Sequence, residues 1–236
     1  MKNLITLLVV GIISLTTNAQ ITIEKNIDFK NRYIDMALKF ASNIEVKTWD
    51  KPSIYVKANI SMAEEKYLNM FQVTVDESGS KIEIGDNSES IFKKIWEDRE
   101  KVSGKKQHYF NVGDEYEFDY VIYVPKNAKF RISSINGNLK SDIIEGDFEA
   151  DLINGNIAIA NYSGELNLKT INGEIDLQMV NTTLVAETIH GNIFADEKLK
   201  FTSDDRMVGQ KIEGRTQNAK NSLRLNTING NMYLRL

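Results

Sequence analysis

The chain has no cysteine, two prolines and two histidines in 236 residues, and its formal charge leans acidic at −4. Without cysteine there are no disulfide staples and no thiol nucleophile, so stability has to come from packing and backbone hydrogen bonds. The same absence excludes lipid attachment at a cysteine behind the apolar N-terminal run. Pro52 falls in a turn and Pro125 at a strand end, where a missing backbone donor is tolerated. His108 and His190 have no serine or aspartate at triad-like spacing, so both read as structural. A net negative charge without clustered Lys and Arg argues against nucleic acid as a partner, because polyanion binders need excess cations to displace counterions.

Residues 1–19 carry the pattern of a secretory signal: Lys2 at the start, an apolar core from Leu4 to Leu15, and Thr17-Asn18-Ala19 before Gln20. The run is shorter than the ~20 residues a membrane span needs. The expected mature chain, 20–236, has no transmembrane span and is exported to the periplasm, the outer-membrane surface or the medium. Loss of Lys2 takes its charge to −5. At 42% hydrophobic the chain can bury one core, so one domain is expected.

Short alternating segments fill the first half. Ile34, Met36 and Leu38, then Ile44 and Val46, then Ile54 and Val56 are separated by turn-like stretches, and they read as imperfect half-coils of the repeat described next. Phe71–Val75 and Lys81–Ile84 flank a turn at 76–80 in which Gly79 is expected to supply a positive φ. Residues 87–115 break the pattern as an insertion with a short amphipathic helix followed by a loop. Trp96, Lys105 and Lys106 make it a candidate contact loop, although Ile91, Phe92 and Trp96 are more simply read as apolar cover for the core. Tyr116 to Pro125 is a strong alternating strand.

From 135 to 194 the chain repeats every 18 residues: Ile135-Asn136-Gly137-Asn138, Ile153-Asn154-Gly155-Asn156, Ile171-Asn172-Gly173-Glu174 and Ile189-His190-Gly191-Asn192, with Ile228-Asn229-Gly230-Asn231 near the end. Counting from each Ile, positions 1, 5, 7, 10, 14 and 16 of the first three units are apolar except for Ser141, which defines an expected inward face. Glycine recurs every nine residues from Gly137 to Gly173, so the unit halves. The period predicts an all-β, single-domain parallel β-solenoid, or β-helix, with 18-residue coils of two 9-residue halves. Asn136, Asn154, Asn172, His190 and Asn229 are the expected ladder residues. Gly137, Gly155, Gly173, Gly191 and Gly230 are the expected corners, taking positive φ. After Ala195 an excursion around Ile212-Glu213-Gly214-Arg215 interrupts the period. A final coil, 223–236, is expected to rejoin the stack as its last rung, with Arg235 blunting the exposed edge.

These residues carry a resemblance. Tyr123-Val124-Pro125, the Gly-centred units, the charged excursion, and Leu223-x-Leu225-x-Thr227-x-x-Gly230-Asn231 resemble the bacterial putative-adhesin family. Asn43-Ile44-Glu45-Val46-Lys47-Thr48-Trp49-Asp50 is similar to that family's early strand and Trp-Asp turn. The pattern is also similar to auto-transporter adhesin head domains. The resemblance implies a β-solenoid domain with no catalytic residues to carry over. The insertion at 87–115 departs from the usual compact pattern.

The residues themselves argue against catalysis. Asp142 with Glu145 and Asp147 with Glu149 could mimic a glycosidase pair, but alternate outward positions of a strand are normally charged. Calcium-binding β-rolls use Gly-Gly-x-Gly-x-Asp turns, whereas these turns have one Gly and usually Asn, so neither a metal nor a cofactor is expected. The reading is a non-enzymatic, exported, adhesin-like protein whose partner is a surface, a glycan or an envelope protein. A carbohydrate-active β-helix enzyme and an accessory of an envelope-stress response are the alternatives.

Overall fold

Along Ser53–Met62 every second side chain, from Ile54 to Met62, is buried while its neighbours face out. This alternation of period two is repeated throughout the chain and makes one face of each strand a core face. The computed structural model describes residues 19–103, 116–199, 201–205 and 208–236. The expected signal segment therefore lies outside the described residues except for Ala19, which opens the first strand.

The strands are β1 (Ala19–Asp28), β2 (Tyr33–Ala37), β3 (Phe40–Trp49), β4 (Ser53–Met62), β5 (Val73–Asp76), β6 (Lys81–Asp86), β7 (Tyr116–Pro125), β8 (Ala128–Ser141), β9 (Ile144–Asn154) and β10 (Ile157–Ile159). They continue as β11 (Tyr162–Ser163), β12 (Glu165–Asn172), β13 (Ile175–Gln178), β14 (Thr182–His190), β15 (Ile193–Ala195), β16 (Thr202–Asp205), β17 (Gln210–Arg215), β18 (Asn221–Asn229) and β19 (Met232–Arg235). Among the described residues two helices, α1 (Glu65–Leu68) and α2 (Ser88–Ser103), interrupt the first half.

Hydrogen bonding joins these 19 strands into one mixed sheet. One series of neighbours runs β5, β6, β2, β8, β9, β12, β18, β14, β17, β16. The other runs β1, β4, β7, β3, β8, β10, β13, β19, β15. The two meet in β8, whose residues 130–133 pair with β2 and whose residues 138–140 pair with β3. Apolar columns face inward from both series. Phe130, Phe148, Leu166, Leu223 and Leu184 lie side by side in the first, and Leu139, Ile157, Ile175, Met232 and Ile193 in the second. All belong to one hydrophobic cluster. Each such aliphatic side chain contributes about 1.5–3 kcal/mol on burial.

This arrangement overturns the parallel β-solenoid expected from the period. Side chains 18 residues apart do lie beside one another, as Leu139, Ile157 and Ile175 show. The sheet as a whole is mixed, however, because β1–β4, β4–β7, β5–β6, β14–β17 and β16–β17 are antiparallel. Alternation specifies which side chains are inside and says nothing about the direction of the neighbouring strand. The order of units is also not the order of the sequence. β18 sits between β12 and β14, and β19 between β13 and β15, so the final coil is an interior rung and not the terminal one. Arg235 is accordingly not an edge guard; its guanidinium donates to Asp176 at 2.6 Å on the adjacent strand.

Two further expectations are corrected by the phase of the alternation and by backbone geometry. Ile153, Ile171 and Ile189 are 39%, 39% and 41% exposed, so position 1 of the unit points outward. The inward position is the residue before it, Leu152 ahead of Ile153 and a threonine ahead of Ile171, Ile189 and Ile228. Thr170, Thr227 and Thr188 are buried, and their hydroxyls donate to the carbonyls of Gly155, Gly173 and Gly230 at 2.9, 3.0 and 3.1 Å. Alternation through positions 14, 16 and 18 places that threonine inside, and it breaks phase only at the Asn-Gly bend.

Of the corner glycines, Gly137 has φ +105°, but Gly155, Gly173, Gly191 and Gly230 lie outside the left-handed region. They are required by close approach: a Cβ on Gly173 would sit 2.6 Å from the carbonyl carbon of Gly155. Gly79 is likewise not at positive φ. The turn at 76–80 is instead held by the Ser78 amide donating to Asp76 Oδ1 at 2.8 Å and by Arg32 donating to the Glu77 carbonyl at 2.8 Å.

Ser141, the polar exception in the repeat, is buried beside Ile159, and its hydroxyl has no hydrogen-bond partner among the described residues. Ser141→Ala is expected to stabilise the protein by about 1 kcal/mol, because it removes an uncompensated polar group from the core. A urea titration reads this directly; a lower midpoint would mean that the hydroxyl is satisfied.

Candidate interaction surface

On β3, β4 and β7 the alternation that buries Thr48, Val56 and Val124 sends Trp49, Tyr55 and Tyr123 to the outer face. Tyr55 and Tyr123 are direct cross-strand partners, and Trp49 lies at the end of the neighbouring strand. The ring centroids of Trp49 and Tyr123 are 4.9 Å apart, those of Tyr55 and Tyr123 6.1 Å, and those of Trp49 and Tyr55 6.3 Å. Trp49 Nε1 donates to the Ser53 carbonyl at 2.7 Å, which fixes the indole, and Lys51 Nζ lies 4.5 Å over its ring. Burial and a hydrogen bond to Glu24 hold the Tyr55 phenol above its usual range. Lys126 bridges Asp50 at 3.1 Å and Glu145 at 3.0 Å beside the rings. The result is a half-exposed aromatic platform with a charged rim, carried on a rigid three-strand base. Such a surface can stack on an apolar face while the rim bonds polar substituents.

None of the three rings was among the candidate residues from the sequence. The available signal was the outward position of Tyr55, between Ile54 and Val56, and of Tyr123, between Ile122 and Val124, where a charged residue is the ordinary choice.

The expected ladder residues form a hydrogen-bonded column in a changed order. Asn154 donates to Asn136 at 3.2 Å, Asn172 to Asn154 at 2.9 Å, and Asn229 to Asn172 at 2.8 Å; His190 follows opposite Asn229. A second column, formed by the fourth residue of the same motif, runs beside it. Asn138 accepts from the amide of Asn156, Asn156 from that of Glu174, and Asn231 from that of Asn192, at 3.0, 2.8 and 3.0 Å. Gly137, Gly155, Gly173, Gly230 and Gly191, each between the two column residues in sequence, stack on one another. The side-chain amides are largely committed to one another, which leaves the outward isoleucines as the apolar border of this strip.

In the 87–115 insertion, Ile91, Phe92 and Ile95 of α2 are buried, with Phe92 4.8 Å from both Phe40 and Tyr116. Asp86 receives Tyr120 Oη at 2.8 Å and the Ser88 amide at 2.9 Å, and Asp98 receives Tyr67 Oη at 3.2 Å, so the helix is tied down at two points. Trp96 faces away from the core and is 44% exposed. Lys105, Lys106 and His108 lie outside the described residues.

The carboxylates considered for glycosidase chemistry are each engaged by a cation. Asp142 pairs with Lys47 at 3.1 Å, Glu145 with Lys126 at 3.0 Å, Asp147 with Lys129 at 3.0 Å and Glu149 with Lys169 at 3.4 Å. Among the described residues no three His, Cys, Asp or Glu side chains converge as metal ligands would, and no helix is long and apolar enough to cross a membrane.

No protein-family model matches the chain, and no curated protein matches it. A solved structure of a putative cell adhesion protein from Clostridium sporogenes is similar in fold, with a TM-score of 0.58 at 12% identity over 92% of this chain and 99% of that one. At such identity the likeness is one of fold alone. A putative adhesin from Bacteroides fragilis aligns at 9% identity over 93% of this chain and 98% of that one, and a putative lipid binding protein from Parabacteroides distasonis at 10% over 90% and 96%. Both have a TM-score of 0.25, which carries no argument.

Proposed function

We propose that this protein is a non-enzymatic, adhesin-like binding protein of the exported cell envelope, and that Trp49, Tyr55 and Tyr123 form the platform on which it holds a carbohydrate surface. The observation that carries this reading is the tiling of three half-exposed rings across three neighbouring strands, with Lys51, Lys126 and Glu24 at the rim. Sugar rings present an apolar C–H face and a polar edge, which matches an aromatic floor with a charged border. The sequence resemblance to adhesins and the name of the Clostridium sporogenes protein sharing the fold point the same way. The N-terminal apolar pattern supports export.

The test is a glycan array with the mature chain and a Tyr55→Thr/Tyr123→Thr double variant, in which threonine keeps strand propensity while removing the rings. Binding to a subset of glycans should weaken at least about tenfold in the variant, with an unfolding midpoint close to that of the parent. Equal binding by both proteins, or no binding by the parent, overturns the carbohydrate assignment. Turnover of a bound polysaccharide overturns the non-enzymatic one.

A further inference from the structure

The C-terminal segment has the geometry of a bound ligand. β18 is parallel to, and hydrogen-bonded with, β12 on one side and β14 on the other, and β19 is held in the same way by β13 and β15. The two walls of this slot, residues 165–178 and 182–195, are consecutive in the chain and joined by 179–181 alone. A strand from the far end of the protein has thus been laid between two units that are neighbours in sequence.

We propose that this slot is a strand-acceptor site that takes residues 221–235 of a second copy of this chain in place of its own. What the slot reads is backbone and repeat pattern. Thr227 donates to the Gly173 carbonyl at 3.0 Å and Asn229 to Asn172 at 2.8 Å on one wall. Thr188 donates to the Gly230 carbonyl at 3.1 Å and the Asn192 amide to Asn231 at 3.0 Å on the other. Leu223, Leu225, Met232 and Leu234 fill the inward columns. Each of these contacts is identical when the segment comes from another copy.

The tether permits exchange. Residues 216–220 pass over the start of β14, held there by Thr216 N to Thr182 O at 3.0 Å and Lys220 N to Asn181 O at 3.3 Å. Gln217, Asn218 and Lys220 are exposed, and Asn218 has φ +58°. Extending this turn breaks only its few bonds to Asn181 and Thr182, and the segment can then leave once its ladders with β12–β15 have opened, which is why exchange belongs to refolding. In one chain the tether supplies an effective concentration near the millimolar range, so the self-filled form dominates at dilution and reciprocal exchange requires refolding among many copies.

The cysteine-free sequence makes the test clean. Lys169 and Asn226 are paired across β12 and β18, half-exposed on the outer face, at a separation a disulfide can bridge. A K169C/N226C chain refolded at high dilution should close an intrachain disulfide and stay monomeric. K169C and N226C chains refolded together at high concentration should give a disulfide-linked heterodimer at roughly tenfold the level of a K169C and S78C control pair, Ser78 being an exposed turn residue. Mixing the same chains after folding should give none. Absence of the intrachain bond, or heterodimer no more abundant than the control, overturns the proposal.

Discussion

Gly173→Ala is expected to cost about 3 kcal/mol or more of stability, read as a large drop in the urea midpoint or as loss of soluble folded protein. The added Cβ would overlap the carbonyl oxygen of Gly155, lie 2.6 Å from its carbonyl carbon, and approach Thr170 Oγ1 to 2.9 Å. The first two of these atoms are backbone, and the backbone is pinned, because the Gly155 amide donates to the Asn172 carbonyl and the Gly173 amide to the Asn229 carbonyl, each at 3.1 Å. Relief would require the units to separate, which would also strain the Thr170 and Thr227 hydroxyl bonds to the same column. Gly79→Ala is the control. Nothing lies within 4 Å of its Cβ and its φ is not in the left-handed region. That variant should be neutral or stabilised by about 0.4–1 kcal/mol through the unfolded chain. If the two variants behaved alike, close approach would not be what the glycine column is for.

The same column shows how far the residues could be read before the structure. The recurrence of Ile-Asn-Gly identified which residues stack, and Asn136, Asn154 and Asn172 do bond in sequence order. A positive φ is the right cause at Gly137 but the wrong one at Gly155, Gly173, Gly191 and Gly230, since a required φ and a required close approach leave the same mark on a sequence. The recurrence also placed the isoleucine inside, because Ile looks like core and Thr does not; only the hydroxyl bond to the next glycine carbonyl makes the buried threonine acceptable.

The strand order was illegible for a different reason. A period fixes spacing along the chain, whereas the position of β18 between β12 and β14 is a choice among sites that all carry the same pattern. Antiparallel pairs such as β4–β7 leave no periodic trace, because their partners are 54 to 68 residues apart, with α1, β5, β6 and the insertion between them. The aromatic platform was legible residue by residue, as outward Tyr55 and Tyr123, but its convergence with Trp49 depends on the order of β4, β7 and β3.

Leu234→Ala, two residues before the last residue of the sequence, is expected to cost about 2–5 kcal/mol, the range for emptying a closed core site. Terminal residues ordinarily fray and tolerate truncation. Leu234 is 1% exposed and is flanked by Leu177 on β13 and Ala195 on β15, with Arg235 anchored to Asp176 just beyond it. Had the final coil been the last rung of the stack, one side of this residue would lack a neighbouring strand and the loss would be near 1 kcal/mol. The size of the effect therefore measures the insertion itself. The comparison within one series is Leu236→Ala, where the side chain is largely exposed and little change is expected. A steep fall in stability between positions 236 and 234, followed by chemical denaturation, is the signature of a C-terminus held on both edges. A shallow one would return β19 to the margin of the sheet.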